Sequence, residues 1–276
     1  MSLPPLSPCP GTVWFVGAGP GDPELITVKG QRLLSEAGAV LYAGSLVDEA
    51  VARYAPQSAE IADSKGMTLE AIAEWLTTRA QRHATVVRLQ TGDPTLYGAL
   101  TEMARLLDAA GVPWRAVPGV SSAFAAAAAA GESLTLPEVT QTVILTRAEG
   151  RTPMPPRERL EALAAHQATV CLFLSITLTR EIERAFLAAG WAPESPVLVV
   201  HKASWPQERI VRTTLSELST ACRAAKIVSQ AMIIVSPALG ARQWDAAPRS
   251  KLYDPTFTHR FRRADKAPEK PNGGAS

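Results

Sequence analysis

The residues of this chain whose types and spacing could do chemistry fall in short segments placed where strands should end. The first is Gly17-Ala18-Gly19-Pro20-Gly21-Asp22-Pro23. A glycine loop between a strand and a helix lets backbone approach a ligand at the helix N-terminus. A dinucleotide fingerprint needs glycine at the third position of GxGxxG, where this chain has Asp22. An aspartate there would repel a pyrophosphate, and Pro20 and Pro23 remove two N–H donors that a phosphate site would use. No Gly-Lys-Ser/Thr follows, so a P-loop is excluded too. The loop is tight and rigid but poorly built for phosphate. A plain strand-to-helix turn is the simpler alternative, and the density of Gly and Pro weighs against it.

The second segment is Leu89-Gln90-Thr91-Gly92-Asp93-Pro94-Thr95-Leu96-Tyr97-Gly98. Asp93 beside Gly92 offers an acceptor for an ammonium or hydroxyl, or else a helix cap, as does Thr95. The third is Val117-Pro118-Gly119-Val120-Ser121-Ser122-Ala123, whose two serines could cap the next helix or reach a ligand. The fourth is Val200-His201-Lys202-Ala203-Ser204-Trp205-Pro206. Open α/β sheets bind ligands at the carboxyl ends of their strands, which is where these segments fall. There is no HExxH, no GxSxG and no pair of histidines at metal spacing. His83, His166, His201 and His259 are isolated and read as surface or packed residues, so no metal site is expected.

The elements that must position these segments alternate. Strands are expected at 13–16, 40–42, 86–89, 114–117, 142–146, 169–174, 197–201, 210–212 and 232–235. Helices are expected at 24–37 behind Asp22, 69–82 behind Thr68, 95–110, 121–130, 157–165, 179–189 and 215–224. This is an α/β pattern. Residues 1–11 read as a proline-rich arm, 12–118 and 119–245 as two α/β domains parted at Pro118-Gly119, and 246–276 as a basic tail, partly disordered and mobile from about 257.

The composition fits: 276 residues, 46% hydrophobic and 20% charged, suit a globular protein with a sizeable core. A net charge of +2 is too small to argue for a nucleic-acid partner. Cys9, Cys171 and Cys222 form no CxxC pair and suggest a reducing compartment. The N-terminus does not read as a secretory signal, and the most apolar stretch, Ala123 to Ala130, is too short to cross a bilayer. A cytoplasmic protein is expected.

Three segments together, VGAGPGDPELITVKG at 16–30, TGDPTLYG at 91–98 and PGVSSA at 118–123, resemble the tetrapyrrole (corrin/porphyrin) methylase family, the class III S-adenosylmethionine-dependent methyltransferases. The resemblance spans about residues 13–240. Within the family, Tyr42-Ala43-Gly44-Ser45-Leu46-Val47 and Asp254–Arg260 are similar to the branch that methylates precorrin-4 at C11 in cobalamin biosynthesis.

The resemblance implies two α/β domains with S-adenosylmethionine in the cleft between them and S-adenosylhomocysteine as product. Pro20 would line the first loop. Thr91, Gly92, Asp93 and Leu96 would hold the methionine portion, with Asp93 near its ammonium. Ser121 and Ser122 would contact the cofactor at the domain junction. Leu174, Ser175, Ala203, Ala231 and Met232 would surround the adenosine.

The substrate carries many carboxylates, which favours basic residues around it. Lys65, Arg88, Arg147 and Lys202 are candidates, with Asp22 and Ser45 on loops bordering the trough. A homodimer is implied, with neither nucleic acid nor membrane as partner. The alternatives are the cobalt-containing substrate, another ring carbon, an RNA or protein acceptor, or a nucleotide-binding protein without catalysis.

Overall fold

The computed structural model describes residues 11–44, 46–47 and 49–264. Residues 1–10 of the expected arm, Ser45, Asp48, and the tail from 265 lie outside the described residues.

Five strands, β1 (Thr12–Gly17), β2 (Ala39–Tyr42), β3 (Glu60–Asp63), β4 (Thr85–Gln90) and β5 (Trp114–Val117), form one sheet in the order β3-β2-β4-β1-β5. Every pairing in it is parallel. Parallel sheets are covered on both faces, so their strands are apolar almost throughout. Accordingly Val13, Phe15, Val16, Val86, Val87 and Leu89 are fully buried. Helices α1 (Val28–Ser35), α2 (Glu49–Ala52), α3 (Leu69–Ala80) and α4 (Leu100–Ala109) lie between the strands. Leu33 and Leu34 of α1 pack with Val16, Val87 and Leu89 on one face, while Leu76 of α3 and Met103 and Leu107 of α4 pack with Phe15 and Val86 on the other. The connection from β1 runs toward the β3 edge and that from β4 toward the β5 edge. Neighbouring strands whose connections diverge in this way open a crevice at their carboxyl ends.

The second sheet comprises β6 (Val143–Arg147), β7 (Thr169–Phe173), β8 (Pro196–His201), β9 (Arg209–Thr214) and β10 (Ala231–Val235), in the order β6-β7-β10-β8-β9. Only β6 and β7 pair in parallel. Helix α5 (Ser122–Ala130) lays its alanines on Cys171, Leu198, Val200, Met232 and Ile234. The opposite face is covered by α6 (Leu160–Ala164), α7 (Thr179–Ala188) and α8 (Leu218–Ala224), with Phe186 and Trp191 in edge contact at 5.2 Å.

Several elements differ from the sequence reading. The helix expected at 24–37 is two pieces. Asp22 caps only a 3₁₀ turn at Pro23–Leu25, Ile26 is extended, and Thr27 then caps α1 by accepting from Gly30 N at 3.1 Å. The helix expected from Thr95 starts at Leu100, because Tyr97 and Ala99 hold left-handed backbone that no helix can contain. The helix expected at 157–165 is a 3₁₀ turn at Pro156–Glu158 followed by the short α6. Strand β3 and helix α2 were not expected from the sequence. In the tail, Arg262 Nη2 donates to the Leu252 carbonyl at 2.9 Å, so residues up to 264 form a tied turn.

Candidate active site

Three glycines bring the first three segments together. A Cβ on Gly17 would lie 2.5 Å from Gly119 Cα and 2.6 Å from Gly92 O, and one on Gly119 would lie 2.0 Å from Gly92 O. Backbone bonds fix the junction: Ala18 N donates to Gln90 O at 2.7 Å and Gly92 N to Gly19 O at 2.8 Å. Asp93 completes it. One carboxylate oxygen accepts from Gly119 N at 2.9 Å, and the other accepts from Thr95 N at 2.8 Å. Burial opposes ionisation of Asp93, but the bonds from Thr95 and Gly119 outweigh it and hold its carboxyl below the ordinary range. Ser121 caps α5, accepting from Ala123 N at 3.4 Å.

This junction floors a cleft of about 380 Å³ bordered by residues of both sheets, within the usual range for a small-molecule site. Of the sequence candidates, Pro20, Thr91, Gly92, Asp93, Leu96, Ser121 and Ser122 line it from one side. Leu174, Ala203, Ala231 and Met232 line it from the other, and Arg88 and Lys202 are present as well.

Other candidates stand elsewhere. Ser175 is fully buried behind the wall, with Oγ accepting from Ala148 N at 2.7 Å and donating to Phe173 O at 2.6 Å. Its neighbour Leu174, at φ 53° and 67% exposed, takes the cleft position instead. Arg147 is spent on the carbonyls of Thr152 and Pro153 at 3.2 and 2.8 Å. The Asp22 side chain accepts from Glu24 N at 2.9 Å, and neither it nor the exposed Lys65 lines the cleft. Ser45 lies outside the described residues.

Residues not named as site candidates from the sequence join the site, some of them inside the segments singled out there. Tyr97 meets Phe173 of β7 across the cleft, ring centroids 5.4 Å apart. Gln90, Ala99, Trp205 and Gln230 also line it. Tyr97, Ala99, Leu174, Lys202 and Gln230 all carry positive φ without being glycine. Such conformations cost about 1–3 kcal/mol each and persist where the surrounding structure enforces them.

Arg88 and Gln90 stand two apart on β4, so they share a face. Arg88 is only 5% exposed; its Nη1 donates to Ser64 Oγ at 2.9 Å, while its Nε has no hydrogen-bond partner. Burial pulls its guanidinium down to about 10, opposed by the charge of Asp63. Gln90 donates to Gly98 O, and its Oε1 is buried and unsatisfied. Arg88 thus sets a buried positive charge at the cleft, with no carboxylate within ion-pair distance among the described residues. No group of three or more His, Cys, Asp or Glu able to hold a metal is present among the described residues, and none of their helices is long and apolar enough to cross a membrane.

A parallel sheet ending in locked glycine loops, facing a mixed sheet across a cleft, defines a two-sheet α/β protein built to hold a small ligand between its halves. The chain belongs to the tetrapyrrole (corrin/porphyrin) methylase family, whose model matches residues 12–219. It is 51% identical over 255 residues to the cobalt-precorrin-4 C(11)-methyltransferase of Priestia megaterium, covering 92% of this chain and 99% of that one. The solved structure of a cobalamin biosynthetic enzyme, cobalt precorrin-4 methyltransferase, matches with a TM-score of 0.81 at 51% identity, covering 83% of this chain and 95% of that one. A uroporphyrin-III C-methyltransferase from Thermus thermophilus, complexed with S-adenosylhomocysteine, matches with a TM-score of 0.67 at 33% identity, covering 83% and 94%.

Proposed function

We propose that this chain transfers a methyl group from S-adenosylmethionine to C11 of precorrin-4, giving precorrin-5 in cobalamin biosynthesis. The observation that carries methylation at C11 is the match to a cobalt-precorrin-4 C(11)-methyltransferase at 51% identity over 99% of its length; a precorrin-4 C(11)-methyltransferase, 42% identical over 98% of its length, supports the metal-free ring. The segments that prompted the family resemblance also meet at one cleft. A second reading takes the cobalt-containing ring as substrate; the name of the Priestia megaterium relative favours it.

The cleft residues suit the cofactor. Polar groups of Thr91, Asp93, Ser121 and Ser122 stand at the glycine junction, and Leu96, Leu174, Ala203, Ala231 and Met232 supply apolar walls. A carboxylate oxygen has room for more than one donor, so Asp93 can take an ammonium while keeping its bonds to Gly119 and Thr95. The cofactor supplies a methyl already activated by its sulfonium. The chain's task is to align donor and acceptor and to exclude water. Arg88 and Lys202 supply positive charge for the ring's carboxylates. In this reading the chain folds as two domains, 12–118 and 119–245, and acts as a cytoplasmic homodimer. Incubation with S-adenosylmethionine and precorrin-4, followed by mass measurement, tests it. The expected result is a gain of one methyl on the macrocycle; an unchanged mass, with either metal state of the ring, contradicts it.

A further inference from the structure

The connection from β8 to β9 makes contacts that cofactor and substrate binding do not require. Trp205 Nε1 donates to the Pro20 carbonyl at 2.8 Å, and Ser204 Oγ accepts from Asp22 N at 3.0 Å. Both bonds run from the second sheet to the first glycine loop. Gly21 lies between them. A Cβ there would stand 2.1 Å from Trp205 Cδ1 and 2.3 Å from its Nε1. Gly21 is not among the glycines with positive φ. Its missing side chain therefore answers to the indole, not to the turn.

The delivering loop is strained. Lys202 and Ser204 hold φ 50° and 67°, which non-glycine residues adopt only when the surroundings enforce it. Lys202 N donates to Gln230 O at 2.8 Å, and Ser204 N to Glu208 Oε2 at 2.6 Å. Lys202 Nζ lies 5.4 Å from the centre of the indole ring, a cation–π contact that steadies it.

We infer that Ser204 and Trp205 are positioning residues, a clasp that fixes the Pro20 wall of the cleft against the Ala203 wall. The inference rests on the proposed cofactor placement, in which those walls enclose one ligand. Gly21 and Trp205 are the two halves of a single fit, so changes at them are not independent.

The test measures S-adenosylhomocysteine binding by calorimetry and methyl-transfer kinetics on the full chain. Gly21→Ala is expected to weaken binding by about tenfold or more, because its methyl displaces the indole. Trp205→Ala is expected to weaken it by about tenfold through loss of the bond to Pro20 and of the indole's packing on Gly21. The double variant should bind like Trp205→Ala alone, since the added methyl then has space. Trp205→Phe keeps an aromatic ring but loses the pyrrole edge that faces Gly21 and its hydrogen bond to Pro20; with its fold checked by its melting midpoint, it should raise the KM for S-adenosylmethionine about threefold or more, a larger effect than on kcat. Losses that multiply in the double variant, or a Trp205→Phe chain with unchanged KM, overturn the inference. A wild-type chain that binds no S-adenosylhomocysteine overturns the cofactor reading itself, and the clasp with it.

Discussion

Asp93 joins Gly119 across 26 residues: its carboxylate accepts the Gly119 N–H at 2.9 Å while its other oxygen takes both the N–H and the hydroxyl of Thr95. One side chain thus ties the loop leaving β4 to the segment that opens α5. Asp93→Ala is predicted to weaken S-adenosylhomocysteine binding by about 1.5–3 kcal/mol, the range for hydrogen bonds to a charged group. Calorimetry checks it; an unchanged affinity would remove Asp93 from the site.

Acid should expose two carboxyls. The hydrogen bond from His83 Nε2 at 2.9 Å, with Arg79 beside it, holds Glu60 below its ordinary 4.5. Asp93 is held below 3.8 because its hydrogen bonds outweigh burial. A group depressed in the folded state contributes stability above its unfolded pKa and loses it as pH falls through the folded value. These two groups therefore give constant stability at neutral pH and a loss that begins near pH 4.5 and deepens below 3.8. Urea midpoints followed downward in pH should show that decline. A chain carrying Glu60→Gln and Asp93→Asn should decline less steeply.

At Gly17 and Gly119 the glycine junction admits no side chain. At Gly119 the added methyl would meet backbone, Gly92 O at 2.0 Å and Gly17 Cα at 2.8 Å, which cannot rotate away. Gly119→Ala is predicted to destabilise the fold by about 3 kcal/mol or more. Gly190, at φ +85° with nothing within 4 Å, pays only backbone strain, so Gly190→Ala should cost about 1–2 kcal/mol. Denaturation midpoints compare the two. A milder effect at Gly119 than at Gly190 would contradict the junction.

Arg88 is a buried charge beside the cleft without an ion-pair partner among the described residues. Desolvating a guanidinium is costly unless something anionic compensates it. The proposed substrate, rich in carboxylates, would do so. Arg88→Met should raise the KM for the tetrapyrrole by about tenfold or more, as for loss of a charge-assisted bond, and leave S-adenosylhomocysteine affinity close to that of the wild type. An unchanged tetrapyrrole KM would contradict this role.

Much of this was legible in the sequence, for local reasons. Apolar runs such as Val13–Val16 and Val86–Leu89 mark buried parallel strands, and the glycine loops fall at their ends. Arg88 lies inside the second run, but only the implied substrate's carboxylates single it out. Strand β3 escaped because Glu60-Ile61-Ala62-Asp63 is a short, half-exposed edge with a charge at each end. The helix over 24–37 looked continuous because its apolar period passes through Ile26; only the Thr27 cap reveals the break. Ser175 has the chemistry of a ligand contact, yet its hydroxyl is consumed by Ala148 and Phe173, while the left-handed turn at Leu174 decides which residue faces the cleft. Tyr97 against Phe173 and Trp205 against Gly21 join residues distant in the chain, and no local pattern encodes such pairs.

The most direct test of the central claim supplies S-adenosylmethionine with a ¹³C-labelled methyl group, together with precorrin-4 in its metal-free and cobalt-containing forms, and locates the label by NMR. A single labelled methyl on C11 of the ring is expected. A label on any other carbon, or no transfer to either form, would contradict it.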